Sequence, residues 1–186
     1  MTTVAKFKKN EAGFTLIEVI VIVAILAILA GILAPMIFSQ IDEAKLSRAE
    51  ADAKSISSAI LTFRKDLGIW PNLSGSGCGA NTNLLTGQGA APANLTAMGY
   101  TSTPAVEFRY VLGSDDEECY NTTMYKGPYI GVVTADPWGN AYVLAANQFA
   151  IDGRAAFVLS AGPNGTIETP VFSVSTLGDD IGIRVK

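Results

Sequence analysis

The pattern of apolar and polar positions changes character along this chain. From Val19 to Phe38 it reads VIVIVAILAILAGILAPMIF, with no charged residue. As a helix rising ~1.5 Å per residue, such a run spans the ~30 Å hydrocarbon core of a bilayer. It is longer than the apolar segment of a secretory signal peptide. No small-residue cleavage site follows it, because Phe38-Ser39-Gln40 leads straight into an amphipathic pattern. Lys6, Lys8 and Lys9 precede the run and predict a cytoplasmic N-terminal side, with the remainder facing outward. From Ser39 to Leu67 the pattern is that of a half-buried helix. Ile56, Ile60, Phe63 and Leu67 recur at 4-3-4 spacing, and Lys45, Arg48, Glu50, Asp52 and Lys54 occupy more polar faces. Gly68 and Trp70-Pro71 supply the stop. The two halves predict one continuous helix from Phe14 to Leu67, about 80 Å long.

Beyond this helix the periodicity shortens. Residues 72–104 are rich in Gly, Ser, Asn, Thr, Ala and Pro and read as a long loop, with short helical turns near Asn83–Leu85 or Ala93–Met98. Strand-like runs follow at Val106–Leu112, Tyr129–Val133, Ala141–Ala145 and Ala156–Ser160, with a weaker one at Val171–Val174. Turn signals at Asp136-Pro137, Gly139-Asn140 and Pro163-Asn164-Gly165 separate them. The predicted fold class is α+β: a long N-terminal helical spine, its first half transmembrane, packed against a small antiparallel sheet. The segments are 1–13, 14–38, 39–67, 68–126 and 127–186.

Composition narrows the chemistry. The 186 residues carry a net charge of −4, with 49% hydrophobic and 16% charged residues, so a disordered chain is excluded. The acidic balance argues against nucleic-acid binding. The chain has no histidine, which removes catalytic triads, His-Cys pairs and HExxH zinc sites. Two cysteines cannot build a four-thiolate metal site. A membrane-anchored enzyme finds no nucleophile motif or phosphate loop to support it.

One residue departs from a plain membrane anchor. Glu18 lies at the start of the apolar stretch, where an acid is costly without a partner; the alternative is a side chain that snorkels to the interface. Its surroundings, Gly13-Phe14-Thr15-Leu16-Ile17-Glu18-Val19 behind a short lysine-bearing leader, resemble the processing motif of type IV pilins and type II secretion pseudopilins. The resemblance implies that a prepilin peptidase cuts between Gly13 and Phe14 and methylates the new terminus. It implies that Glu18 of one subunit pairs with the Phe14 ammonium of a neighbour, which removes two desolvation penalties inside lipid. The leader carries a net +2, so its removal takes the chain from −4 to −6. Gly31 and Pro35 also match the family. The proline loosens the helix there, or is simply a tolerated transmembrane proline.

Further motifs point within the family. Gly127-Pro128-Tyr129-Ile130, Asp136-Pro137-Trp138-Gly139-Asn140, Ser160-Ala161-Gly162-Pro163-Asn164-Gly165 and Asp179-Asp180-Ile181 resemble the major pseudopilin of type II secretion systems. That resemblance implies calcium at the C-terminal loop, with Ser160, Asn164, Asp179 and Asp180 as candidate ligands; a solvated closing turn is the alternative. The family usually has an acid where Asn164 stands and a Gly-Gly pair where Thr166-Ile167-Glu168-Thr169 stands. Cys78 and Cys119 fall in the exterior portion, where a disulfide is favoured over two separate thiols, tethering the Gly-rich loop. Asp115-Asp116-Glu117-Glu118 reads as a solvated acidic turn.

The family implies a filament subunit that polymerises with itself and works with prepilin peptidase, minor pseudopilins or pilins, and an inner-membrane assembly platform. It would sit as a single-pass protein in the bacterial inner membrane with its head in the periplasm. The alternative in the same family is a type IV pilin forming a surface fibre for adhesion, motility or DNA uptake.

Overall fold

A computed structural model describes residues 13–71, 82–101, 105–114, 120 and 123–186. The chain divides into two units, 1–43 and 44–186. Helix α1 runs from Leu16 to Leu67 and continues through Pro35. In the first unit its large apolar side chains, Leu16 to Ile41 among them, are exposed. The helix is long and apolar enough to cross a membrane. A helix that is apolar all round with nothing packed on it has lipid or other helices as its natural surroundings.

In the second unit the helix is one-sided. Ala49, Ala53, Ile56, Ile60, Phe63 and Leu67 are buried, the stripe expected from the 4-3-4 spacing extended back by two alanines. The helix stops where Gly68 takes φ 73 and its amide bonds to the Arg64 carbonyl, a left-handed cap that a side chain would resist. Arg64 lies over the Trp70 ring, which stacks on Phe149.

The sheet has five short strands: β1 (Leu84–Thr86), β2 (Ala105–Glu107), β3 (Val143–Ala145), β4 (Phe157–Ser160) and β5 (Ile181–Arg184). Their order is β2-β1-β3-β4-β5. The β1–β3, β3–β4 and β4–β5 pairs are antiparallel, but β1 and β2 are parallel, so the sheet is mixed rather than wholly antiparallel. The α+β class holds.

Individual strands differ from the sequence pattern. The 106–112 run gives only β2; Arg109–Gly113 turns into a π-helix that buries Val111 and Leu112. Tyr129–Val133 and Val171–Val174 form no strand. Residues 83–85, expected as a helical turn, instead contribute to the interior strand β1. Strand β5 was not anticipated at all.

Both faces of the sheet are covered. Leu85, Leu144 and Val158 face the helix stripe in one core; Leu84, Val143 and Leu159 face a second core with Leu95, Tyr100 and Ile167. A strand buried on both faces has no alternation to display, which is why β3 reads as an unbroken apolar run.

Candidate functional site: the processed N-terminus and the C-terminal acidic loop

The first site is the head of α1. Thr15 stands just before the helix, and the Val19 amide bonds its carbonyl at 3.3 Å. Glu18 Oε2 accepts the Thr15 amide and the Thr15 hydroxyl, each at 2.8 Å. The Glu18 amide in turn donates to Thr15 Oγ1 at 3.4 Å. This reciprocal pattern, Thr-x-x-Glu, is a capping box, and it satisfies amides that would otherwise be orphaned at a helix start in lipid. Among the described residues, the second carboxylate oxygen of Glu18 makes no hydrogen bond. A single acid therefore closes its own helix and leaves one oxygen without a hydrogen bond among the described residues.

Gly13 and Phe14 are exposed ahead of the cap. A Cβ at Gly13 would meet nothing within 4 Å, so no contact in this fold demands glycine there. The same is true of Gly31 inside the helix. A mid-helix glycine costs about 1 kcal/mol relative to alanine, and the usual compensation in a membrane helix is close approach by another helix.

The second site is the C-terminal loop. Asp179 accepts the Asn164 amide at 3.1 Å and its side-chain NH2 at 2.6 Å. Asp180 is buried; one oxygen accepts the amides of Glu168 and Thr169 at 2.9 and 2.7 Å, and Oδ1 has no partner among the described residues. Burial pushes the Asp180 carboxyl above the usual carboxylate range, and the Asp179 charge adds to this against the hydrogen bonds from Thr169 and Glu168. Glu168 accepts the Asp179 amide at 3.1 Å. Its carboxylate packs so closely on Gly178, at φ 63, that a Cβ at that position would overlap it.

The four sequence-derived calcium candidates are thus only partly gathered. Asn164 and Asp179 meet directly, and Asp180 lies next to them, turned inward. Ser160 instead donates to Asp136 at 2.6 Å. Asp136 is buried, and its other oxygen accepts the amides of Trp138 and Asn140, so it organises the Asp-Pro-Trp-Gly-Asn turn. Glu168, which sequence reasoning treated only as a departure from pattern, supplies a third carboxylate to the loop. One buried carboxylate oxygen, Asp180 Oδ1, lacks a partner, while both Asp179 oxygens and the Asn164 side-chain oxygen are already engaged in hydrogen bonds. Among the described residues, no three acidic side chains stand close enough together to hold a metal as they are. Cys78, Cys119 and the 115–118 acidic run lie outside the described residues.

Comparison with known proteins bears on the N-terminal motif and on the chain as a whole. Residues 8–34 match the model of the prokaryotic N-terminal methylation motif. A type II secretion system core protein G of Pseudomonas aeruginosa is 30% identical over 135 residues, 73% of each chain. The chain belongs to the core protein G family. A second core protein G, of Aeromonas hydrophila, is 29% identical over 94% of this chain and 93% of its own. A fimbrial protein of Eikenella corrodens is 34% identical, but over 34% of this chain and 42% of its own length. No solved structure matches. Core protein G relatives therefore extend across the head, including the 72–126 region that carries no recognisable motif, whereas the fimbrial likeness stays partial.

Proposed function

We propose that this protein is the pseudopilus subunit of a type II secretion system, acting as a structural element rather than a catalyst. The observation that carries the reading is likeness to core protein G chains over most of their length, joined to an exposed apolar helix headed by Gly13-Phe14 and the Thr15–Glu18 cap. Prepilin peptidase removes residues 1–13 and the new Phe14 terminus is methylated. The need for Gly13 then lies with the enzyme that reads the segment, since no contact in the fold requires it. The subunit sits in the inner membrane as a single-pass protein with its head in the periplasm. It polymerises with itself, and its partners are minor pseudopilins and the inner-membrane assembly platform.

Glu18 of one subunit takes the Phe14 ammonium of its neighbour through the oxygen the cap leaves open. Calcium would bind the C-terminal loop only if Asp179, Asp180 and Glu168 drew together around it and released their present hydrogen bonds, while Ser160 stays committed to Asp136. The cation would supply charge to a buried carboxylate and tie residues 164–168 to 179–180.

The test is the culture-supernatant protein profile of a strain lacking the gene, with and without complementation. Specific exoproteins should remain trapped in the cells and return to the medium on complementation. Intact secretion would overturn the assignment in favour of a surface pilus.

A further inference from the structure

A cleft of about 150 Å³ opens on the helix side of the head, where Asp52 and Ile56 of α1 meet Ile130, Val132 and Thr134. That is room for one aromatic ring. The 130–134 segment on its rim pairs with no strand. Its one backbone hydrogen bond among the described residues is Val133 accepting from Gln88, and Val132 is 51% exposed. Asp52, which lines the cleft, receives Tyr142 at 3.2 Å and Arg48 at 3.6 Å, both on Oδ2, and its other oxygen takes no hydrogen bond among the described residues.

A complementary feature lies on the other side of the sheet. Phe172 and Val174 project from the loop before β5, 62% and 76% exposed. The loop is anchored: the Val171 amide bonds the Met98 carbonyl, and Val171 packs on the second core. The exposed Arg154 guanidinium lies 5.9 Å from the Phe172 ring centre. Among the described residues, no carboxylate lies within ion-pair distance of it.

We propose that Arg154 and Phe172 of one copy dock in the Asp52–Val132 cleft of the next. The guanidinium meets the open Asp52 oxygen and the ring enters between Ile130 and Val132. The inference rests on the pseudopilus reading and specifies one contact within it. Charge and shape are complementary, and the two features lie on opposite faces of one sheet, so the contact is heterologous. Such a contact propagates a filament wherever its rotation does not close a ring. It also accounts for apolar side chains that the head leaves in water.

The experiment uses the full-length chain in cells that assemble filaments, with Thr134→Cys on the cleft rim and Val174→Cys beside Phe172 introduced singly and together, so that the docking ring and its pocket stay intact. Oxidation should give a ladder of dimers, trimers and higher species from the double variant alone, each single variant controlling for Cys78 and Cys119. Adding Arg154→Glu should lower the cross-linking yield at least about tenfold, because two carboxylates then face each other. Filaments without a ladder, or dimers from one single variant alone, overturn the contact while leaving the pseudopilus reading intact. Absence of filaments from the unmodified chain overturns both.

Discussion

Glu18 closes the helix cap with one oxygen, and in the proposed filament the other takes a neighbour's Phe14; mutations probe each. Thr15→Val removes the hydroxyl from the capping box and costs about 0.5–2 kcal/mol of helix-end stability. Amide hydrogen exchange across residues 16–19 in detergent micelles should accelerate in Thr15→Val and stay near the unmodified rate in Thr15→Ser. Glu18→Ala should still lose residues 1–13, read as a mass change, yet yield few filaments. Normal filament numbers from that variant would remove the proposed pairing with Phe14. Glu18 was legible in the sequence because a charge in an apolar run has no local excuse. The role of Glu168 was not legible: a single glutamate in a polar loop looks solvated until its position against Gly178 and the Asp179 amide is known.

At the level of elements, the helix was read correctly to its final residue, since its stripe, cap and stop are set within a turn or two of sequence. Phe63, fully buried between Tyr120 and Tyr129, should cost about 3–5 kcal/mol when replaced by alanine. Leu61, 46% exposed on the same helix, should cost less than about 1 kcal/mol. Denaturant unfolding of the full-length protein in detergent checks both, and equal costs would contradict the buried stripe. The strands were read less well. Residues 129–133 have strand composition but lie along the helix without a ladder partner, whereas β1 and β5 carry weak composition and are held by neighbours distant in sequence.

For the whole molecule, ionisation of buried phenols acts on stability, and the proposed cation would as well. Tyr100, Tyr129 and Tyr142 all have phenols raised above the usual value, chiefly by burial, with carboxylates adding: Asp180 beside Tyr100, Asp66 beside Tyr129 and Asp52 beside Tyr142. A group whose folded pKa lies above its unfolded one gives stability that is complete below about pH 10 and lost as pH rises further, because the unfolded chain ionises first. The melting temperature should therefore fall above pH 10, and Tyr142→Phe should flatten part of that fall. The proposed calcium would add stability to the folded state. At a hundred times its dissociation constant a ligand of the folded state adds about 2.7 kcal/mol, so chelation should lower the melting temperature of the full-length protein. An unchanged melting curve would remove the cation from the C-terminal loop.

The sequence by itself determined what depends on neighbours a few residues apart: the membrane-spanning run, the buried stripe from Ile56 to Leu67, the Gly68 stop, the turn at Asp136 and the processing motif at Gly13. Helices and caps close their hydrogen bonds within four residues, so their instructions are contiguous. Only the tertiary structure decided the parallel pairing of β1 with β2, the burial of the sheet on both faces, the diversion of Ser160 to Asp136 and the unpartnered oxygen of Asp180. Those outcomes join residues dozens of positions apart, where the identity of a partner is fixed by what else has packed around it.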